Sequence, residues 1–262
     1  MDARLIGVGL LVAAGQALSQ GFDHAHSQWD ALVRKHVVVG EAGKTSRLDY
    51  SALASERAAL KAYLEALARV EEREFNGWSG PQRMAFLINA YNAFTVEKIL
   101  TRYPGIGSIW EFGRIFGNPF KDEFFALLGR RRSLDWIEHD NLRKRHAEPR
   151  VHFALNCASV GCPMLREEAY APERLERQLE EQAARFLSDR SRNRAGEKGL
   201  EVSMIFDWFR EDFEPREKYF ARYAALLADD AQTRRRIAAG AAAISFLEYD
   251  WALNDSRSSS RR

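Results

Sequence analysis

The sequence predicts a helix-rich α+β fold, a single domain with a small β-sheet. Three observations carry this. Helical periodicity recurs over long stretches, four short extended runs fall between them, and neither an internal repeat nor a Pro/Gly/Ser-rich linker divides the chain. With 262 residues, 46% of them hydrophobic and 11% aromatic, the chain can bury a core of its own.

The first twenty residues read as a secretory signal peptide. Arg4 supplies the positive start, residues 5–14 an apolar stretch, and the small residues at 15–19 a cleavage site. That apolar stretch is too short to span a bilayer. The mature protein is therefore expected to begin near Gly21, to carry no transmembrane anchor after cleavage, and to be periplasmic or secreted. The domain is assigned to 21–255, and the Ser/Arg tail at 256–262 is expected to be disordered.

Helical periodicity is clearest at 52–70, 82–103, 172–188 and 220–239, and extended runs at 37–39, 150–155, 200–203 and 243–247. The third helix has Pro172 in its first turn, with Glu173 and Glu176 favouring the positive helix end. The segment from Met84 to Val96 is apolar nearly all round, which predicts a central buried helix. Asn89 and Asn92 lie three apart on one face of it. An unsatisfied buried amide group costs about 1–3 kcal/mol, so both are expected to bond loop backbone and pin the core, or alternatively to line a site.

Charge excludes one class of partner. The 39 basic and 37 acidic residues leave a net charge of +2, mixed along the chain, with no field that would steer it onto nucleic acid.

Both cysteines fall in one segment, 152–163, where chemistry is most readily imagined. The alternation in Arg150-Val-His-Phe-Ala-Leu-Asn-Cys157 predicts a strand with Cys157 at its end, a position where a rigid scaffold presents reactive groups. One reading makes Cys157 a nucleophilic thiolate, which needs an imidazole or positive potential beside it. On a strand, His152 would stand about 16 Å away. His139 is therefore the preferred base, on a helix capped by Ser133 with Leu134, Ile137 and Leu142 toward the core. A second reading pairs Cys157 with Cys162 in a disulfide. Its short loop contributes about 2 kcal/mol, and its four intervening residues differ from the Cys-x-x-Cys of thioredoxin-type sites. A third reading places a metal on Cys157, Cys162, His139 and His152, but no second pair has ligand spacing, so neither a metal nor a cofactor is expected.

Two motif matches fail. Gly40-Glu-Ala-Gly-Lys-Thr45 lacks the first glycine of a phosphate-binding loop, and Cys157-Ala-Ser-Val-Gly161 lacks the helix that follows a nucleophile elbow, leaving Ser159 a distant candidate. Asp23-His-Ala-His26 near the mature end reads as a flexible surface tract.

Taken together, four motifs resemble the DUF547 family, whose function is not established. They are Phe86-Leu-Ile-Asn-Ala-Tyr-Asn92, Ser133-Leu-Asp-Trp-Ile-Glu-His139 with Leu142-Arg143, Pro149-Arg-Val-His-Phe-Ala-Leu-Asn-Cys-Ala-Ser159 with Cys162-Pro163, and Tyr249-Asp-Trp251. The resemblance covers most of the mature chain. It implies a candidate site of Asn89, Asn92, His139, His152, Cys157, Cys162 and Asp250. The joining of family members to glutaredoxin-like modules implies thiol chemistry.

The resulting expectation is an extracytoplasmic thiol-dependent enzyme, performing acyl transfer, amide hydrolysis or thiol redox chemistry on an unidentified small molecule or peptide. Cys157 is the reacting group, with Cys162 beside it, His139 or His152 the base, and Asn156 or Asn92 an orienting group. The competing expectation is a non-catalytic envelope binding module braced by a Cys157–Cys162 disulfide.

Overall fold

Residues 21–113, 117–196 and 199–257 are described in a computed structural model of the chain. The expected signal peptide and residues 258–262 of the expected tail lie outside them. Helices dominate, and the strands are short. In order they are α1 (Ser27–His36), β1 (Val37–Val39), β2 (Ser46–Leu48), α2 (Tyr50–Ser55), α3 (Arg57–Ala68), α4 (Glu72–Gly77), α5 (Gly80–Leu100), β3 (Phe125–Leu127) and β4 (Arg130–Arg132). A π-helical segment, Trp136–Arg143, and a 3-10 helix, Pro149–Phe153, precede α6 (Leu175–Leu187). Then come β5 (Arg194–Gly196), β6 (Gly199–Ser203), α7 (Ile205–Trp208), α8 (Arg216–Arg222), α9 (Ala224–Leu227), α10 (Ala231–Ala238) and β7 (Ile244–Leu247). Hairpins β1–β2 and β3–β4 are antiparallel, while β6 sits between antiparallel β5 and parallel β7. This is the helix-rich α+β fold expected. Among the described residues no helix is long and apolar enough to cross a membrane.

The central helix is where the apolar run predicts it. Ser79 opens α5 with a reciprocal capping box to Gln82, and Met84 to Val96 are all buried. Around α5 gathers the larger core, with Phe86, Leu60, Leu67, Tyr50, Leu127 and Ile137 among its members. A second, smaller core collects Phe153, Phe186, Phe206, Phe213 and Phe220 under the β5–β7 sheet.

Several boundaries differ from the expected ones. The 52–70 helix breaks at Glu56 into α2 and α3, because Glu56 departs from helical geometry (φ −108°, ψ 16°). The 220–239 helix is three pieces, and the last begins afresh where the Asp230 carboxylate accepts the Thr233 N–H at 2.8 Å.

The expected strand at 150–155 is not formed. Pro149 starts a 3-10 turn whose Arg150 N–H is capped by the Glu148 carboxylate at 3.0 Å. Val151 then enters the larger core and Phe153 the smaller one. The sequence alternation therefore reflects burial in two cores, with Val151 and Leu155 in the larger and Phe153 in the smaller, not one face of a strand. The expected surface tract 23–26 is corrected too. His26 is buried with Nδ1 on the Tyr63 hydroxyl at 2.8 Å, and burial pushes its pKa down to about 3.

Candidate functional site

The seam between the two cores opens into a cleft of about 510 Å³. Its floor holds Cys157 and Cys162, one flank carries His139, Glu138 and His152, and the walls are aromatic, with Trp110, Trp208, Phe209, Tyr249 and Trp251. All four residues expected to be catalytic thus line one cavity.

The cysteine segment is shaped from behind by asparagines. Asn92 on α5 accepts the Asn156 N–H at 2.8 Å and donates to the Ala154 carbonyl at 3.0 Å. Asn156 donates to the Pro163 carbonyl at 2.8 Å and accepts from the Ala158 N–H at 3.0 Å and the Asn254 amide at 3.2 Å. These bonds hold Ala158 in the left-handed region (φ 63°), unusual for a residue with a side chain, and so aim the turn that follows Cys157. One turn earlier on α5, Asn89 exchanges two bonds with the Tyr170 backbone at 2.8 and 3.0 Å. All three amides are buried behind the cleft and outside its lining.

From the other side, residues 249–254 cross over the cysteine turn. The Val160 and Gly161 N–H groups donate to the Ala252 and Asp250 carbonyls, each at 2.8 Å, and the Asn254 N–H donates to the Ala158 carbonyl at 3.0 Å. Gly161 makes this approach possible. A Cβ there would lie 3.0 Å from the Asp250 backbone and from the Tyr249 ring. Asp250 itself is exposed and outside the cleft lining, its carboxylate accepting the Ala252 N–H at 2.9 Å.

Cys157 and Cys162 are joined in a disulfide. Cys157 is partly exposed in the cleft, whereas Cys162 is 2% exposed. The Cys162 sulfur accepts the Cys157 N–H at 2.8 Å and the Tyr249 hydroxyl at 3.2 Å. Ser159 Oγ lies 2.9 Å from the Cys157 sulfur and 3.6 Å from that of Cys162. Tyr249 Oη is also 3.2 Å from the Cys157 sulfur. A disulfide sulfur carries no proton, so both hydroxyls are the donors.

The imidazoles are oriented by carboxylates and an arginine, not by the sulfurs. His152 donates Nε2–H to Asp212 at 2.6 Å and stacks on Phe209 at 4.0 Å. Its buried Nδ1 faces Glu138 across 3.6 Å without a hydrogen bond. Burial alone would push this imidazole's pKa down. The bond to Asp212 and the facing Glu138 outweigh it and hold the pKa above its usual value. Burial likewise acts upward on the Asp212 carboxyl, but the hydrogen bonds from His152 and Arg143 prevail and hold it well below the carboxylate range. His139 Nδ1 accepts from Arg143 at 2.7 Å, since a guanidinium only donates, which leaves Nε2 to face Asp135 at 3.4 Å. Among the described residues no group of three or more His, Cys, Asp or Glu is placed to hold a metal ion.

The residues that sequence reasoning passed over are Tyr249, Glu138, Asp212 and the tryptophans. Tyr249 and Trp251 flank Asp250 in a quoted motif, and their spacing of two would put both on one face of an extended run. Glu138 stood beside His139 in another quoted motif. Asp212 gave no local signal, because its partners Arg143 and His152 are 69 and 60 residues away in the chain.

The fold and cleft define a helix-rich α+β domain with a disulfide on the floor of an aromatic cavity. Residues 75–187 match the model of a family described as "Protein of unknown function, DUF547", and this stretch belongs to that family. The resemblance read from the motifs is borne out there; Tyr249–Trp251 lies beyond the matched residues. No curated protein and no solved structure matches the chain.

Proposed function

We propose that this is an exported thiol–disulfide exchange protein acting on a small molecule or peptide held in the aromatic cleft. The observation that supports this best is the asymmetry of the disulfide: both cysteines line the cleft, but Cys157 is partly exposed whereas Cys162 is 2% exposed. Exchange needs an accessible sulfur to attack and a second one to leave. The acyl-transfer form of the thiol chemistry is less well supported. It needs a free Cys157 thiolate beside an imidazole, and here the sulfur is bonded to Cys162 while both histidines are engaged elsewhere. Export is proposed from the first twenty residues and accords with a persistent disulfide.

The test is equilibration of native protein with graded ratios of reduced to oxidised dithiothreitol, followed by alkylation of free thiols. Reversible reduction without denaturant, followed by reoxidation with a peptide disulfide, is the expected result. A disulfide that opens only after unfolding overturns the proposal. That outcome would favour the second reading, a binding module braced by the disulfide, for which the aromatic wall is the specific support. Trp208 stacks on Trp251 at 5.5 Å and Trp110 meets Trp251 edge-on at 5.3 Å, leaving ring faces for an apolar or planar ligand.

A further inference from the structure

Thiol exchange at a disulfide has two possible directions, and they differ in which sulfur is attacked and which carries away the electron pair. We infer that attack falls on Cys157 Sγ, that Cys162 Sγ is the leaving thiolate, and that the Tyr249 hydroxyl is a catalytic residue that donates a hydrogen bond to that thiolate. This rests on the exchange reading and adds to it the role of each sulfur and a third participant.

Access decides the first part. An incoming thiolate reaches Cys157 from the cleft, whereas Cys162 is 2% exposed. Charge stabilisation decides the second. A buried thiolate is disfavoured unless donors meet it. The Tyr249 hydroxyl lies 3.2 Å from each sulfur and the Ser159 hydroxyl lies nearer Cys157, but only Cys162 Sγ also receives a backbone donor. A thiolate there is met by the Cys157 N–H at 2.8 Å and the Tyr249 hydroxyl. Both are in place before the bond breaks, so no reorganisation is needed as negative charge develops. A charged acceptor strengthens each of these bonds relative to the neutral disulfide. Behind the same turn, the Arg192 guanidinium bonds the Val160 and Gly161 carbonyls, paired there with Asp189.

Tyr249 is built to stay in position. Its segment is fastened to the cysteine turn by the ladder through Gly161, and its ring packs against Trp208 at 4.8 Å and Trp251 at 4.5 Å. Burial keeps the phenol protonated well above neutral pH, so it is available as a donor.

A substrate thiolate forms a new S–S bond to Cys157 Sγ, the Cys157–Cys162 bond breaks, and its electron pair stays on Cys162 Sγ. A second thiol of the substrate then attacks the substrate sulfur of the mixed disulfide and releases Cys157. The substrate dithiol is oxidised to a disulfide, the protein disulfide is reduced to two thiols, and the two protons lost by the substrate are taken up by the cysteines or solvent.

The experiment uses 2-mercaptoethanol on the intact oxidised protein, with acid quench at short times, alkylation and mass mapping of each cysteine. The mercaptoethanol adduct is expected on Cys157 and the alkyl group on Cys162. Tyr249→Phe, with thermal unfolding as the check on folding, is expected to slow this first step roughly tenfold, the loss typical of a hydrogen bond to a charged group. An adduct found mainly on Cys162, or an unchanged rate in a folded Tyr249→Phe protein, overturns the inference while leaving exchange itself intact. The mapping in the unsubstituted protein decides the attack site even if the variant does not fold. A disulfide that mercaptoethanol fails to open in the native protein overturns the exchange reading and this inference with it.

Discussion

Behind the cysteine turn, Asn89, Asn92 and Asn156 have their amides paired with backbone or with a neighbouring amide at 2.8 to 3.2 Å. In front of it, Nδ1 of His152 has no hydrogen-bond partner, and the two sulfurs receive only hydroxyl donors and one N–H. The two regions share a chain segment, yet the amides behind it are paired and lie outside the cleft lining, while the disulfide and His152 in front line the cavity. Saturated buried polar groups hold a fold in register. Groups left with spare valence beside a cleft are the ones available to a ligand. Of the two roles expected for Asn89 and Asn92, bonding backbone or lining a site, the contacts made are the first, and Asn156 likewise bonds backbone behind the disulfide.

The comparison is broken most severely from behind. Asn92→Ala leaves the Asn156 N–H and the Ala154 carbonyl buried without partners, and at about 1–3 kcal/mol for each unsatisfied group the loss is expected to be about 3 kcal/mol. Urea unfolding measures it, and a loss below about 1 kcal/mol would mean that water replaces the amide.

A smaller effect is expected at the floor of the cleft. Reduction, or Cys157→Ser, removes a short covalent loop and is expected to cost about 2 kcal/mol in the chain-entropy view. The saturated layer behind should hold the turn in place, so the folded protein survives and the far-ultraviolet spectrum is unchanged. Global unfolding on reduction would show that the disulfide, not the asparagines, supports the turn.

The smallest effect concerns pH at His152. The His152 pKa is raised in the folded protein, so the folded state holds this proton more tightly than the unfolded one. Its contribution to stability is then complete below the unfolded pKa of about 6.5 and is lost as pH rises through the folded value. The difference in unfolding free energy between the protein and His152→Asn should accordingly be larger at acid than at alkaline pH. Parallel pH profiles for the two proteins would remove the ion pair with Asp212 from the account.

Much of the molecule was legible in one dimension, because the information was local. An apolar run with a cap at Ser79 has no stable fate but a buried helix, and α5 is that helix. Two amides three apart on such a helix must find backbone partners, and Asn89 and Asn92 do. The short runs at 37–39, 200–203 and 243–247 became strands at close to their expected positions. Proximity of two cysteines in a short turn allowed a disulfide, and they form one.

What the tertiary structure alone decided is long-range. Alternation at 150–155 could not reveal that its residues serve two cores, since burial on two sides looks the same in sequence as burial on one face. Asp212 reaches His152 across 60 residues and Tyr249 reaches Cys157 across 92. Neither contact follows from any local propensity, because each is made by elements whose relative placement is set by core packing. Local pattern was thus enough for the central helix α5, for the burial of Asn89 and Asn92 on it and for the closeness of the two cysteines. Packing of the two cores decided that those cysteines face a cleft, and which tyrosine stands over them.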